Sequence, residues 1–336
     1  MPTVGGCSMR LYDVNYGQFE VDEPVLVELI SSGVMDRLKR IGQMGIPAEY
    51  YPFFCYSRYE HSVGVMLLLR RLGASLEEQA AGLLHDASHT AFSHVIDWVL
   101  GEGAKGNEDL QDLNHKAMLN SMHVPEILEK HGMDFDRISD IKRFGLLERE
   151  VPGICADRLD YALKEFYYWE NRDASRECLD GLTVLDGKIV FKHRKPAEAF
   201  GRNYMEIQNM HWGGTVAATQ YYLLSELLRA GLKKGIIVIG DLNADDAYVM
   251  EKLKKAGDVT LDNYFRLLSY KGRLPEAGRA GGQKVVKKFR YVDPEYMENG
   301  GLVRLSEIDA GYRRLLDASR ERSSKGVTIN VSFGRD

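Results

Sequence analysis

Apolar residues recur at helical spacing over most of the chain, so the pattern predicts a protein built mainly of helices. The run HSVGVMLLLRRLG has this spacing and ends at Gly73, a residue type that often terminates a helix. The next run, EEQAAGLLHDASH, opens with Glu77 and Glu78, which are favourable in a first helical turn. Helices are predicted at about residues 24–44, 60–72, 76–89, 92–100 and 114–131, from Pro152 onward, from 196 or 202 to 230, and at 244–256 and 260–270.

Shorter alternating runs predict strands near both ends of the chain and once in the middle. Residues 10–24 are predicted to form a strand pair or an extended arm that turns near Gly17. In LTVLDGKIVFK the pair Asp186-Gly187 separates two alternating runs, which predicts a hairpin. Beyond residue 270, the segments KVVKKFRYV, LVRLS and VTINVSF are predicted as strands. The predicted organisation is an N-terminal arm at 1–24, a helical core at 25–270 with the hairpin near 182–191, and a small α+β region at 271–336.

Composition and charge narrow the class of protein. A chain of 336 residues with 44% hydrophobic and 28% charged residues can bury a large core. The net charge of -5 argues against nucleic-acid binding, which usually needs a basic surface. The longest apolar runs are too short to span a bilayer, and the N-terminus has no signal-peptide pattern. The four cysteines form no C-x-x-C pair and are interpreted as reduced thiols, which predicts a cytoplasmic protein.

Four cations lie close together in the first C-terminal strand run: Lys284, Lys287, Lys288 and Arg290. Such a patch can bind phosphates or a partner subunit, or it can be the solvated face of a strand. We favour the solvated face, because charged side chains are mostly exposed.

Three short segments carry the candidate chemistry: RYEHSVG with His61, LLHDASH with the adjacent His85 and Asp86, and ADRLDYAL with Asp157. All three are predicted helical, so packed helices could direct these side chains into one cleft. Two imidazoles and two carboxylates bind a borderline divalent ion better than they bind a soft metal, which prefers thiolate ligands. An octahedral ion with four protein ligands keeps two positions for water and a phosphate oxygen. The pattern predicts a metal-dependent hydrolase of a phosphate ester or anhydride.

The histidines are concentrated in one part of the chain, which indicates that the His-Asp pair is not there by chance. Five of the nine histidines lie between His61 and His115, and His85-Asp86 follows the apolar run AAGLL. Charged residues are seldom buried unless they are paired or bind a metal. The metal-site interpretation is therefore favoured over a surface histidine or a helix ion pair.

The segments RLKRIGQMG, SRYEHSVGV, LLHDASHTAFSHVID and CADRLDYAL, in this order, resemble the HD-domain metal-dependent phosphohydrolases. Within that family the resemblance is to the deoxynucleoside triphosphohydrolases, which include bacterial deoxyguanosine triphosphohydrolases and the mammalian sterile-alpha-motif and HD-domain protein. It covers roughly residues 10–270. The resemblance implies a mainly α fold, an HD-domain helical bundle with a small α+β C-terminal portion. It also implies a nucleotide substrate. The ligand set fits a divalent ion: manganese, iron, magnesium, nickel or zinc. The long predicted helix carries an apolar stripe with Tyr221, Leu224 and Leu228 that fits the core or a subunit interface, and together with the resemblance it favours a homo-oligomer, either a dimer or a tetramer.

Roles for single residues follow from the same resemblance. His89 would contact a substrate phosphate and could act as general acid, since histidine titrates near neutral pH. Asp97 would orient a catalytic histidine, for which His115 is the candidate. The ion would be held by His61, His85, Asp86 and Asp157.

Substrate contacts are implied in the same way. Arg58 would grip phosphate with its planar fork of donors, and Gln43 would lie near the sugar. Tyr161 would pack against sugar or base, although an aromatic residue on an apolar stripe can equally be core. Arg202 would reach the phosphate tail, although a solvated surface arginine fits as well. Glu165 stands where the family often has Asp, so the recognition of base and sugar stays open.

We predict a metal-dependent phosphohydrolase that cleaves (deoxy)nucleoside triphosphates to nucleoside plus triphosphate. The alternatives left open are a nucleotidase, a phosphodiesterase on another phosphoester, and a nucleotide-sensing HD protein with weak turnover. The presence of all four ligands together with His89 favours an enzyme. The sequence lacks the P-loop, G-x-S-x-G and H-E-x-x-H motifs, so these other hydrolase chemistries are not supported.

Overall fold

The computed structural model describes residues 8–101, 110–272 and 282–329, and its regular structure is mainly helical, as the sequence pattern predicts. Within these residues no helix is long and apolar enough to cross a membrane. The first helices are α1 (Pro24–Ile30), α2 (Gly33–Leu38), α3 (Arg58–Arg71), α4 (Leu76–Leu84), α5 (Val95–Val99), α6 (Leu110–Ser121), α7 (Val124–Lys130) and α8 (Phe135–Ile138). They are followed by α9 (Ala156–Glu165), α10 (Arg172–Gly181), α11 (Arg194–Ile207), α12 (Thr215–Lys233), α13 (Asp246–Lys255), α14 (Val259–Ser269), α15 (Leu305–Ile308) and α16 (Ala310–Lys325).

Helix α3 is the central element of the larger core. It starts at a capping box, in which the Ser57 hydroxyl accepts from the Glu60 backbone and the Glu60 carboxylate accepts from the Ser57 backbone. Its apolar residues surround the helix axis rather than forming one stripe, and the helix is buried along Val63–Leu69. Side chains on α3 are therefore held on all sides by neighbouring helices.

Several predicted helices are interrupted. The predicted helix at 24–44 divides into α1 and α2, and the helix at 114–131 divides at His123, whose φ of 59° is left-handed. The long helix from 196 or 202 to 230 divides into α11 and α12 at a π-helical segment, Gln208–Trp212. A side chain at Gly214 would collide with the Met210 carbonyl, so glycine is required in the turn that follows this segment. These interruptions cannot be predicted from the spacing of apolar residues alone.

Strands form three small sheets. The hairpin of β1 (Met9–Asp13) and β2 (Gly17–Val21) is confirmed, as is the hairpin of β3 (Leu182–Leu185) and β4 (Lys188–Phe191). Asp186 and Gly187 both have positive φ (49° and 70°), which a type I′ turn requires. The remaining strands are β5 (Gln283–Val285), β6 (Glu295–Glu298), β7 (Gly301–Arg304) and β8 (Val327–Ile329).

The C-terminal strands connect to the rest of the fold. Strand β6 pairs in parallel with β4 and antiparallel with β7, so the central hairpin and C-terminal strands share one sheet. Strand β5 pairs with β8. The predicted strand KVVKKFRYV is wrong beyond its first residues, because 287–294 are irregular. Most of VTINVSF lies outside the described residues.

The apolar interior forms two clusters, one around α3 and one around α12. Tyr221, Leu224 and Leu228 of α12 belong to the second cluster, which places this stripe in the core rather than at a subunit interface. A cavity of about 640 Å³ is lined by aromatic residues of both clusters, including Tyr204 of the first and Tyr51 of the second. The cavity thus lies where the two clusters meet.

Candidate metal centre

The four predicted ligands come together at the meeting point of three helices. His61 lies on α3, His85 and Asp86 lie at the end of α4, and Asp157 lies in the first turn of α9. The Nε2 atom of His61 is 3.3 Å from Nε2 of His85 and 2.9 Å from Oδ1 of Asp157. Asp86 completes the cluster with Oδ1 3.5 Å from His85 Nε2 and Oδ2 3.8 Å from His61 Nε2.

These separations fit a single divalent ion. Ligand atoms about 2.1 Å from one ion lie about 3.0 Å apart at right angles and about 3.4 Å apart at tetrahedral angles. The separations within the cluster run from 2.9 Å between His61 and Asp157 to 3.8 Å between His61 and Asp86. One ion can therefore reach His61, His85 and Asp86, whose ligand atoms are mutually close, and Asp157 lies beside both histidines, at 2.9 and 3.5 Å.

Hydrogen bonds hold both histidines in the tautomer that a metal ligand needs. Nδ1 of His61 is 2.7 Å from Oδ2 of Asp160, and Nδ1 of His85 is 2.7 Å from the Gly82 carbonyl. Each Nδ1 therefore carries a proton as donor, which leaves Nε2 as the atom that faces the centre of the cluster and can bind an ion. Such outer contacts are usual around metal-binding histidines.

Asp160 was not assigned a role from the sequence, although its spacing of three from Asp157 places both on one helix face. Its carboxylate is fully buried and accepts hydrogen bonds from the Lys164 ammonium at 2.6 Å and from the Tyr16 hydroxyl at 2.9 Å. Burial would raise the pKa of Asp160, but Lys164 and His61 hold it below its ordinary value. Lys164 also pairs with Asp13 at 2.8 Å, which connects the β1–β2 hairpin to the cluster.

The cluster attracts positive charge. Burial would raise the pKa values of Asp86 and Asp157, yet neighbouring cationic groups hold both well below the ordinary value. Burial would likewise lower the pKa of His85, but Asp86 and Asp157 raise it to about 9. A histidine must give up its proton to bind a metal, so a centre that holds protons this strongly is also suited to a cation.

Arg58 and His89 both line the cavity and both contact Asp86. The Arg58 guanidinium donates to Asp86 Oδ2 at 2.5 Å and to the Ser93 hydroxyl at 2.7 Å, and His89 Nε2 lies 3.2 Å from Asp86 Oδ1. Burial and Arg58 lower the pKa of His89 to about 4. His89 is therefore neutral near pH 7 in this structure, and an anionic substrate would have to raise its pKa before it could donate a proton.

The structure corrects the predicted pairing of Asp97 with His115. The ring beside Asp97 is that of His94, whose Nδ1 lies 3.6 Å from Asp97 Oδ2. Phe92 and Ser93 have positive φ (61° and 49°), and this turn places His94 at the start of α5 on the face of Asp97.

His94 lines the cavity and meets His89 edge-on at 5.0 Å, whereas His115 is absent from the described lining and contacts Ser88. The sequence did contain a signal for the pairing of His94 with Asp97, because residues three apart in a helix lie on the same face.

The predicted substrate residues separate into two groups. Gln43 and Tyr161 line the cavity, and the hydroxyls of Tyr161 and Tyr204 lie 2.6 Å apart. Arg202 is outside the described lining and pairs with Asp309 at 2.5 Å on the surface, so the prediction that it reaches the phosphate tail is wrong. It lies on α11, whose cavity-facing residue is instead Tyr204.

The favoured interpretation of the basic patch as a solvated strand face is wrong for Lys287, which is only 8% exposed, although it fits the exposed Lys284. The described lining contains seven Lys and Arg side chains and five Asp and Glu side chains, although the whole chain is acidic. Besides Arg58, the cations are Lys142, Arg149, Arg158, Lys287, Lys288 and Arg290.

In the cavity wall, Oε1 of Gln43 and Oε2 of Glu165 are buried and have no hydrogen-bond partner within the described part of the chain. Burial raises the pKa of Glu165 well above its ordinary value, which favours the neutral form of this acid. An amide and a protonated acid can each exchange hydrogen bonds with a neutral polar ligand.

Sequence comparison matches the HD domain to residues 58–161, a span that includes all four cluster residues. The protein YdhJ of Bacillus subtilis, itself uncharacterised, is 33% identical over 326 residues, covering 96% of this chain and 99% of the relative. The metal-dependent phosphohydrolase cns2 of Cordyceps militaris is 42% identical over 236 residues, covering 67% of this chain and 68% of the relative.

A more distant relative is the deoxynucleoside triphosphate triphosphohydrolase SAMHD1 homolog of Dictyostelium discoideum. It is 26% identical over 219 residues, which cover 55% of this chain and 41% of the relative. Among solved structures, a phosphohydrolase of Bacteroides thetaiotaomicron superposes with a TM-score of 0.68 over 90% of this chain and 95% of that one, at 16% identity. At that identity the likeness concerns the fold alone.

Proposed function

Because this chain belongs to the HD-domain metal-dependent phosphohydrolases, we propose that it hydrolyses nucleoside triphosphates to nucleoside plus triphosphate. The observation that carries the proposal is a cluster of ligand atoms that fits one divalent ion, set in the wall of a cationic cavity of about 640 Å³. This volume lies within the range of pockets that bind small molecules. In the proposal, the ion is held by His61, His85, Asp86 and Asp157.

The chemistry divides between the ion and the side chains around it. The ion supplies polarisation of the reacting phosphoryl group and activation of the attacking water. Arg58 donates to a phosphate oxygen and stabilises the charge that develops there. His89 and His94 lie on the same wall, and one of them protonates the leaving oxygen once the phosphate has raised its pKa. Asp97 orients His94.

The remainder of the cavity suits a nucleoside. Aromatic side chains that can stack on a base line it, among them Tyr51, Tyr161 and Trp212. The unpaired atoms of Gln43 and Glu165 offer hydrogen bonds to sugar hydroxyls. The name of the Dictyostelium relative supports the same substrate class.

The test is a hydrolysis screen of the purified protein with manganese, iron, magnesium, nickel or zinc. Nucleoside mono- and triphosphates, with ribose and deoxyribose, are incubated and the products are separated by ion exchange. Nucleoside plus intact triphosphate supports the proposal, whereas inorganic phosphate from monophosphates alone would assign a nucleotidase. Asp157→Ala should abolish turnover, and the exposed Asp262→Ala should not. Metal binding without turnover on any of these nucleotides would favour a different phosphoester substrate or the sensing protein.

The homo-oligomeric state and the cytoplasmic location stay predictions. The first rests on the family resemblance, and light scattering during size exclusion would test it. The second rests on the sequence features, with which the unpaired Cys55, Cys155 and Cys178 agree.

A further inference from the structure

We infer that the C-terminal segment Lys287–Tyr291 is the binding subsite for the terminal phosphates of the substrate. In this inference the segment, rather than the helical core, makes the cavity prefer triphosphates to monophosphates. It rests on the proposed function, since it assigns a part of the same cavity to a part of the proposed substrate.

The segment has no regular secondary structure, yet it is fixed at both ends. Val285 before it is 2% exposed on β5, and Val292 after it is fully buried. The Tyr312 hydroxyl donates to the Val292 carbonyl at 2.6 Å. In the middle, the Arg290 backbone N–H donates to the Gln208 side chain at 3.1 Å. The backbone is therefore held against the cavity as a wall rather than left as a surface loop.

Cations and aromatic rings share this wall. Lys287, Lys288 and Arg290 line the cavity together with Phe289 and Tyr291. The two aromatic rings stack on each other, with centroids 5.3 Å apart and planes 12° from parallel. This stack stiffens the segment and limits how far its cations can move. A wall of positioned cations is what binding several phosphate oxygens requires.

The position of Lys287 shows that the charge faces inward. Its Nζ atom lies 3.3 Å from the ring centroid of Tyr221, and Tyr221 is itself held by a hydrogen bond to the Met44 carbonyl. Lys287 is only 8% exposed, so its ammonium belongs to the cavity wall rather than to the outer surface.

The segment and the metal cluster line the same cavity, since His85, Asp86 and Asp157 also border it. In the proposal, the negative charge of one phosphoryl group at the cluster is balanced by Arg58 and the ion, which is enough for a monophosphate. Three more cations on an adjoining wall match the further phosphates of a triphosphate.

The first experiment compares Lys288→Gln and Arg290→Gln with Lys284→Gln. Lys284 lies four residues earlier, is exposed and is outside the described lining, so it controls for charge alone. For each protein, kcat/KM is measured on the mono- and triphosphate of one nucleoside. Each lost charge-assisted hydrogen bond should reduce the preference for triphosphate about tenfold, mainly through KM. Lys284→Gln should leave the preference unchanged, and Arg290→Lys should recover most of the loss.

A second experiment separates this inference from the proposed function. Binding of inorganic triphosphate and of inorganic phosphate to the manganese-loaded protein is measured by calorimetry, which needs no turnover. Weaker binding of triphosphate to the Gln variants, by about tenfold, supports the subsite even if no nucleotide is hydrolysed. Unchanged triphosphate binding in both variants, with melting temperatures equal to that of the wild type, would overturn it. So would an equal loss for phosphate and triphosphate.

Discussion

The buried carboxylate of Asp160 should control how tightly the metal is held, although it does not touch the ion. It accepts the Nδ1 proton of His61 at 2.7 Å and thereby presents Nε2 to the cluster. We expect Asp160→Ala to weaken metal binding strongly and Asp160→Asn to weaken it less, because asparagine keeps an acceptor and loses only the charge. Lys164 keeps its pair with Asp13 at 2.8 Å in both variants, so no buried cation is left unpaired.

The size of the effect follows from the contacts. Loss of an outer-shell partner of a metal-binding histidine typically costs about 10- to 100-fold in affinity, or about 1.4 to 2.7 kcal/mol. Asp160→Asn should lie near tenfold and Asp160→Ala near a hundredfold. Tyr16→Phe is the matched control, since it removes the hydroxyl that donates to the other oxygen of Asp160 at 2.9 Å and spares the bond to His61. It should cost about 1 kcal/mol of stability and leave metal affinity within about threefold.

Metal affinity is measured by competition with a chelator of known affinity, and folding is checked by circular dichroism. This readout is independent of turnover and of the identity of the substrate. The reasoning is refuted if folded Asp160→Ala binds the ion as tightly as the wild type. It is equally refuted if Tyr16→Phe weakens binding as much as Asp160→Asn, because the effect would then come from a general loosening of the buried network.

Three further predictions concern the surroundings of the site. Gly64→Ala would place a methyl group against the buried acid–lysine pair and should cost about 1–3 kcal/mol in urea unfolding, whereas Gly240→Ala, which meets open space, should be neutral. Arg37→Gln should lower the free energy of unfolding by about 3 kcal/mol and should also lower kcat, because the Arg37 guanidinium donates to two carbonyls of the segment that carries Asp86. An unchanged kcat would contradict this prediction. Burial raises the pKa of Asp246 to about 6, so its contribution to stability is present below about pH 4 and lost as pH rises through 6. The difference in unfolding free energy between pH 4.5 and 7 should therefore be smaller in Asp246→Asn than in the wild type, and an equal difference would refute the assignment.

Local features of the chain were sufficient to predict the metal cluster and the elements that carry it. The capping box at Ser57 and Glu60 starts α3 one turn before His61, and the apolar run before His85 buries the second ligand. Turn chemistry predicted both hairpins, since Gly17 and Gly187 adopt positive φ. Each of these signals lies within a few residues of the feature that it predicts.

The substrate side could not be predicted in this way, because it depends on contacts between distant parts of the chain. Arg202 and Arg290 both stood as basic residues in ordinary surroundings, yet one pairs with Asp309 on the surface and the other lines the cavity. Helix α10 was also missed, although Asn171 caps it, because its run has few apolar residues. Periodicity shows which face of an element is buried, but not which cavity that face meets.

Family membership says little about the substrate, because the proposed metal ligands and the proposed phosphate wall lie in different parts of the chain. The HD domain match ends at residue 161, whereas the proposed phosphate wall begins at Lys287. The matched span contains all four proposed ligands of the ion. In our proposal, the number of phosphates that the cavity accepts depends on a segment more than a hundred residues further along the chain. Exchange of that segment should therefore change the preference between mono- and triphosphates while the metal affinity stays the same, and a parallel loss of metal affinity would show that the two functions are not separable.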